Sequence, residues 1–255
     1  MNKEKAMLAI NIVRSAGNIC LDNFKKSVAS LKIDGTIVTN VDILVDNFLR
    51  DNIRSSFPDD IYISEESNSN ADFSFDGNYW LADPIDGTSA FSAGLSTWGI
   101  CLSHFQNNKI DFGIFFNPYL DEIYWCWDNG TVNVSDNLKL QSDIGANEKF
   151  SLCVNSDFHI RFRSDFPGKI RSFGSTAAHL SYVASGVITG CLFYNVRLWD
   201  IAASYIMLEK IDATIKYLDG KDILLSDYAL HRNQKPALAA PSIAWTEIAE
   251  RIKER

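Results

Sequence analysis

A chain of 255 residues with 46% hydrophobic and 22% charged side chains has the composition of a soluble globular protein, long enough for one large domain or two intimately packed lobes. Its formal net charge of -8 sets up a field that repels duplex DNA and anionic membranes, which argues against a nucleic-acid polymer or a membrane as partner. A phosphate ligand stays compatible, provided bound cations reverse the sign locally.

The chain opens Met1-Asn2-Lys3-Glu4-Lys5, without the apolar stretch and cleavage site of a signal peptide, and no later apolar run reaches the length of a membrane span. From Lys3 to Phe24 apolar residues recur at helical spacing through Leu8, Ile12, Ala16, Ile19, Cys20 and Phe24, predicting a core-facing helix. Lys32 to Thr39 reads as a hairpin or loop around Asp34-Gly35. A second helix carries Val41, Leu44, Val45, Phe48 and Leu49 on one stripe. Thr39 can cap it, and Asp42 lies in its first turn, where a carboxylate favours the helix dipole. Capping accounts for both residues; the functional alternative is that Asp42 points toward a site. Ile61-Tyr62-Ile63 reads as a strand ending at Ser64-Glu65-Glu66. Adjacent residues of an extended chain face opposite ways, so one carboxylate can enter a site with the other behind it. Surface acids after a strand are the plain alternative. Ser67 to Gly77 is a polar loop.

The densest signal is Trp80-Leu81-Ala82-Asp83-Pro84-Ile85-Asp86-Gly87-Thr88. Tyr79 to Ala82 reads as a buried strand that turns out at Pro84, which lacks an N–H and disfavours the α region for Asp83. The turn gathers the Asp83 carboxylate, the Ile85 carbonyl and the Asp86 carboxylate. Gly87 admits an anion close to the backbone, and Thr88 can open a helix whose free N–H groups favour it. Hard oxygen ligands beside an anion site suit Mg²⁺ carrying a phosphate. An Asx-type turn between strand and helix uses the same residue types. Gly99–Phe105 and Lys109–Phe116 read as strands joined at Asn107-Asn108, and Glu122–Trp127 as a third, turned at Asp128-Asn129-Gly130. Thr131 to Lys149 is polar and reads as a link between lobes, 1–145 and 146–255. Beyond it strands and helices alternate, ending in a helix over Ile243–Lys253, as in an α/β lobe. Gly174-Ser175-Thr176 and Trp199-Asp200 each sit at a helix start, as a cap or facing a ligand. Cys20, Cys101, Cys126, Cys153 and Cys191 are odd in number with no C-x-x-C pair, which reads as reduced core thiols in a cytoplasmic protein.

In this order, Ser64-Glu65-Glu66-Ser67, Asp83-Pro84-Ile85-Asp86-Gly87-Thr88 and Trp199-Asp200-Ile201-Ala202-Ala203 resemble the inositol monophosphatase family of Mg²⁺-dependent, lithium-sensitive phosphatases, which includes 3′-phosphoadenosine 5′-phosphate phosphatases, histidinol-phosphatases and fructose-1,6-bisphosphatases. Val38-Thr39-x-x-Asp42, Gly174-Ser175-Thr176-Ala177 and Pro236-Ala237-Leu238-Ala239-Ala240 match as well. The resemblance implies a layered αβαβα sandwich of α+β type, usually a homodimer. It implies that Glu65, Asp83 and the Ile85 carbonyl hold one Mg²⁺, that Asp83, Asp86 and Asp200 hold a second, and that Glu65 helps a weaker third, with Glu66 behind it. The Gly87 and Thr88 amides would hold the phosphate, Ser175 and Thr176 would face substrate, and Thr88 with Asp42 would orient the attacking water. Two divalent ions about 4 Å apart suit direct attack of water on a phosphate monoester. His104, His159, His179 and His231 all lie outside these motifs, against a histidine-rich zinc site.

The departures bear on substrate. Inositol-selective members carry a Glu seven residues before the Asp of Trp-Asp; Phe193 stands there here. Arg197 offers a cation for a second phosphate or a carboxylate, or else a surface ion pair. An Asp that many members have near the metals corresponds to Thr36 or Asp34, which puts the third ion in doubt. The expected activity is hydrolysis of a small soluble phosphate such as an inositol phosphate, a sugar phosphate or bisphosphate, or a 3′-phosphonucleotide. The alternative is a non-catalytic phosphometabolite-binding or regulatory protein.

Overall fold

The computed structural model describes residues 1–32, 35–66, 77–127, 132–134, 151–229 and 232–255. Helix α1 (Lys3–Asn23) leads into a hairpin of β1 (Ala29–Leu31) and β2 (Ile37–Thr39), and helix α2 (Asn40–Ser56) follows. Asp34 of the predicted turn, the loop over 67–76, the turn over 128–130, His231 and the 145/146 boundary fall outside the described residues. Then come β3 (Ile61–Ser64), β4 (Asn78–Asp86), the short helix α3 (Thr88–Ser92), β5 (Gly99–Gln106), β6 (Lys109–Asn117), β7 (Glu122–Trp127) and β8 (Asn133–Val134). These six strands form one sheet in that order, antiparallel except for β3 beside β4. Part of the predicted link therefore pairs as β8 with β7.

The remainder runs β9 (Ser151–Cys153), α4 (Phe158–Arg161), β10 (Phe162–Ser164), β11 (Lys169–Arg171), α5 (Thr176–Ala184), β12 (Gly190–Phe193), α6 (Leu198–Lys210), β13 (Ala213–Tyr217), β14 (Ala237–Pro241), α7 (Ser242–Glu250) and β15 (Ile252–Glu254). A five-stranded sheet takes the order β11-β9-β12-β14-β13. The predicted last helix stops at Glu250, and Ile252–Glu254 instead pairs with β10.

The layers follow from side-chain alternation along the strands. Trp80 and Ala82 of β4 join the core under α1 and α2, while Tyr79 and Leu81 face the opposite core with α5 and α6. Period-two alternation with both faces apolar is what a sheet between two helix layers requires. The α5–α6 layer packs in turn on the second sheet, and α7 covers that sheet's far face. The order is helix, sheet, helix, sheet, helix. Close packing of the middle layer depends on Gly113 of β6, where a Cβ would stand 2.2 Å from the Ala203 carbonyl of α6. The helical stripes are less regular than predicted: Leu8 is 42% and Leu44 46% exposed, because Ala6, Ala9, Val13, Ala16 and Cys20 form the buried face of α1 and Ile53 extends that of α2. All five cysteines are buried free thiols.

Candidate active site

The ends of β3 and β4 and the starts of α2, α5 and α6 converge around a cavity of about 390 Å³. Glu65 follows β3, and its N–H donates to the Ala82 carbonyl at 3.1 Å, tying it to β4. β4 does not end at Pro84 as predicted. It continues to Asp86, with its pairing to β5 shifted between Asp83 and Asp86. A bulge is where an interior strand tolerates a residue without an N–H. Inside it, the Ile85 N–H donates to Asp83 Oδ1 at 3.0 Å, an Asx turn. The turn occupies one oxygen of Asp83, and a carboxylate has two. Carboxylate oxygens of Glu65, Asp83 and Asp200 all lie within 4.8 Å of one another.

Asp42 and Asp200 sit at matching positions in the first turns of α2 and α6. Asp42 Oδ2 accepts from the Thr39 N–H at 2.8 Å and from the Thr39 hydroxyl, closing the cap. Its Oδ1 accepts from the Thr88 hydroxyl at 3.1 Å, and Thr88 Oγ1 is also 2.9 Å from the Ile85 carbonyl. One Asp42 oxygen thus serves the cap and the other reaches Thr88 on the cavity wall. Asp200 Oδ2 likewise accepts the Arg197 N–H at 2.8 Å. Gly87 adopts φ +90°, and a Cβ there would stand 3.2 Å from the Gly174 and Thr97 carbonyls. Only glycine fits that turn without strain. Asp86 Oδ2 accepts from the Ser175 hydroxyl and from the Ala177 N–H at 2.7 Å, at the start of α5.

Burial and mutual repulsion push these acids up. Asp83 rises well above the carboxylate range through burial first, then through Glu65, Asp86 and Asp200. Asp200 is raised to about 8 by burial and by Asp86 and Glu65. Asp86 reaches about 6, burial outweighing the hydrogen bonds from Ser175 and Ala177. Asp42 is also raised, chiefly by burial. Glu66 is pushed to about 7 by burial, against the pull of Lys32, whose ammonium lies 2.9 Å from Glu65 Oε1 and 2.7 Å from Glu66 Oε1. Acids forced together in low dielectric ionise readily only when a cation joins them. An all-oxygen, hard donor set of this charge fits Mg²⁺ rather than zinc.

Of the residues predicted from sequence, Glu65, Asp83, Ile85, Asp86, Gly87, Thr88, Thr176 and Asp200 line the cavity. Ser175 is buried and holds Asp86 instead of facing the opening. Asp42 reaches the site through Thr88, and Glu66 stands behind Glu65 with Lys32. Thr36 lines the cavity, whereas Phe193 is 2% exposed in the core. Arg197 is not among the lining residues; its guanidinium lies 5.2 Å from the Trp199 ring centroid. The cation on the cavity wall is Arg232, which sequence reasoning missed along with Lys32, Asn155 and Asn195. None of the four belongs to a motif whose spacing announces it. A larger cavity of about 560 Å³ lies beside Trp245, with Lys235 paired to Asp219 at 3.2 Å; among the described residues the converging acids are Glu65, Asp83 and Asp200, none of which lines it.

Five alternating layers, with a nest of buried carboxylates where strands and helices end, make a layered α/β protein whose site suits a hard metal ion. The chain belongs to the inositol monophosphatase family, whose sequence model matches residues 1–254. A fructose-1,6-bisphosphatase/inositol-1-monophosphatase of Thermotoga maritima is 27% identical over 230 residues, covering 84% of this chain and 85% of that protein. A Nus factor SuhB of Haemophilus influenzae is 26% identical over 264 residues, covering 96% of this chain and 94% of that protein. Among solved structures, a Thermotoga maritima inositol monophosphatase superposes with a TM-score of 0.82 at 22% identity, covering 97% of this chain and 96% of that one.

Proposed function

We propose that the protein is a Mg²⁺-dependent phosphomonoesterase that hydrolyses a small soluble phosphate by direct attack of water. The observation that carries this reading is the meeting of Glu65, Asp83 and Asp200 oxygens within 4.8 Å of one another. Glu65, Asp83 and the Ile85 carbonyl would hold one ion, and Asp83, Asp86 and Asp200 a second. Phosphate monoesters hydrolyse so slowly unaided that an enzyme must supply on the order of 20 kcal/mol. Held there, divalent cations supply positive charge to the phosphate oxygens and lower the pKa of water. The chain's own residues do the rest. The Thr88 hydroxyl, with Asp42 Oδ1 and the Ile85 carbonyl as alternative acceptors for its one proton, orients the attacking water when it donates to Asp42, which then draws the water's proton through Thr88. The amides of Gly87 and Thr88, in a turn whose left-handed conformation only glycine adopts without strain, can donate to a phosphate oxygen. Ser175 and Ala177 fix the Asp86 carboxylate, so it needs no reorganisation as charge develops.

A second reading is a phosphometabolite-binding or regulatory protein, favoured by relatives named as Nus factors. Retention of Glu65, Asp83, Asp86, Asp200, Thr88 and Asp42 together favours catalysis, since a binder has no need of the Thr88–Asp42 pair. A cytoplasmic homodimer, with lobes meeting near residue 145, completes the proposal. Among the described residues no helix is long and apolar enough to cross a membrane. The test is phosphate release over a panel of sugar, inositol and nucleotide phosphates with Mg²⁺, with and without Li⁺. Mg²⁺-dependent, Li⁺-inhibited release is expected. Binding of panel members with no release would move the assignment to the second reading.

A further inference from the structure

The cavity wall opposite in charge to the carboxylate nest is built from two stretches stitched together. Asn195 N–H donates to the Asn233 carbonyl at 2.7 Å, and Asn233 N–H donates back to the Val196 carbonyl at 2.8 Å, forming an isolated antiparallel bridge. The bridge brings Arg232 to the cavity, where its Nη1 donates to the Asn195 carbonyl at 3.3 Å. Asn195 itself adopts φ +58°, a left-handed conformation that Asn tolerates better than most residues and that persists where the surroundings dictate it. Its side-chain carbonyl accepts from Gln234 Nε2, so its amide NH₂ is what it has left to offer. Asn155, on the same wall, uses its amide to hold the Tyr194 carbonyl at 3.0 Å.

Among the described residues lining the cavity, Arg232 is the one cation, against Glu65, Asp83, Asp86 and Asp200. Its charge eases Asp86 and Asp200 from a distance, but among the described residues it forms no salt bridge with any of the four within 4.0 Å, so its N–H groups are not taken up by the nest. A guanidinium carries five N–H donors in a planar fork, and among the described residues its one bond, to Asn195, leaves most of that fork unused. Such a fork matches the paired oxygens of a phosphate or carboxylate.

We propose that Arg232, positioned by the Val196–Asn233 bridge and flanked by the Asn195 amide, determines specificity by receiving a second anionic group of the substrate. This rests on the phosphomonoesterase reading and narrows it to substrates with two oxyanion groups, the scissile phosphate over the carboxylate nest and a phosphate or carboxylate at Arg232. Arg197, whose guanidinium lies 5.2 Å from the Trp199 ring centroid, is not among the residues lining the cavity.

The test compares matched substrates on the Mg²⁺-loaded protein: fructose 1-phosphate against fructose 1,6-bisphosphate, and glycerol 2-phosphate against 2-phosphoglycerate. Arg232→Ala should raise KM for the doubly anionic member of a pair by about 10- to 100-fold and leave the singly anionic member within about 2-fold, with kcat little changed. Arg232→Lys should recover part of the loss, because it restores the charge without the fork. The first pair reads a phosphate and the second a carboxylate. Equal effects on both members of both pairs would overturn the proposal. Calorimetric binding of the same compounds separates this from the enzymatic reading. A preference for the doubly anionic member that vanishes in Arg232→Ala supports the subsite even if no phosphate is released. No such preference in the unaltered protein rejects it.

Discussion

The side chains of Asp60 and Asp111 are each 8% exposed, nearly as buried as Asp83 and Asp86, and they flank the same first sheet. Their surroundings differ in kind. His104 stands between them, Nδ1 toward Asp111 and Nε2 3.4 Å from Asp60 Oδ2. The Trp80 indole N–H donates to Asp60 at 3.1 Å, and the Met1 ammonium pairs with Asp111. Burial pushes Asp111 up, but its hydrogen bonds to His104 and to the ammonium more than offset this, and its carboxyl ends below the usual range. Asp83, Asp86 and Asp200 end above it. One acid group is closed by partners within the chain; the other opens on a cavity with its repulsion only partly offset by Ser175, Ala177, Arg232 and Lys32. Burial alone therefore does not mark a site. The direction of the shift does, together with what faces the open side.

Removing one charge from each group should separate them most sharply. Asp200→Asn leaves an acceptor for the Arg197 N–H but takes a ligand from the nest. Phosphate release should fall by at least about 10³-fold, while the metal-free protein melts no lower, because repulsion has been relieved. Asp111→Asn should do the reverse. Breaking a buried ion pair costs about 3–5 kcal/mol, which lowers the melting temperature by about 10 °C for a chain of this size. Its kcat and KM should stay within about 2-fold. Melting curves and phosphate release on both variants check the pair; similar profiles for the two would erase the distinction.

The two groups should also tilt stability oppositely with pH. Asp86 at about 6, Glu66 at about 7 and Asp200 at about 8 all exceed the value of an unfolded carboxylate, about 4. Between those values and pH 4 the native chain binds more protons than the unfolded one, so metal-free stability falls as pH rises through that window. Asp111 is depressed, so its stabilisation is present above the ordinary carboxylate range and is lost as pH falls through its lowered value. The metal-free melting temperature should drop by about 5–10 °C from pH 5 to pH 8, and saturating Mg²⁺ should flatten that limb. A flat metal-free profile over this range would remove the argument that the nest is electrostatically strained.

Much of the site was legible because its chemistry is local. Asp83, Asp86 and Gly87 declare themselves by a Pro and a Gly that force the backbone, whatever surrounds them. The strand end was misplaced at Pro84 because a bulge and a turn make the same local demand, and only pairing with β5 distinguishes them. Asp42 offered capping or function as alternatives, and a carboxylate with two oxygens can serve both. Side-chain direction was not legible. Arg197 and Arg232 are both basic residues beside irregular backbone, and which one meets the cavity depends on the Val196–Asn233 bridge, a long-range pairing without local signature. Leu8 and Leu44 failed for a related reason: periodicity locates a helix, while the neighbouring helix and sheet decide which stripe is buried.

The smallest expected effect concerns Lys32, the cation that the chain itself brings to the edge of the nest. Burial opposes its charge, and Glu65 and Glu66 more than offset that, so its ammonium titrates above its usual range. Glu65 is also one of the three acids whose oxygens converge, so a divalent ion and the Lys32 ammonium draw on the same carboxylate. Lys32→Met keeps the unbranched apolar stem of the side chain and removes the competition. The Mg²⁺ concentration for half-maximal phosphate release should fall by about 2- to 5-fold, as for loss of a partly exposed ion pair of about 0.5–1 kcal/mol, with kcat unchanged. If Lys32 instead acts on the substrate, the same variant raises KM at saturating Mg²⁺ and leaves the Mg²⁺ requirement alone. Titrating Mg²⁺ at fixed substrate, then substrate at fixed Mg²⁺, distinguishes a lysine that holds the nest together in the absence of metal from one that helps bind phosphate.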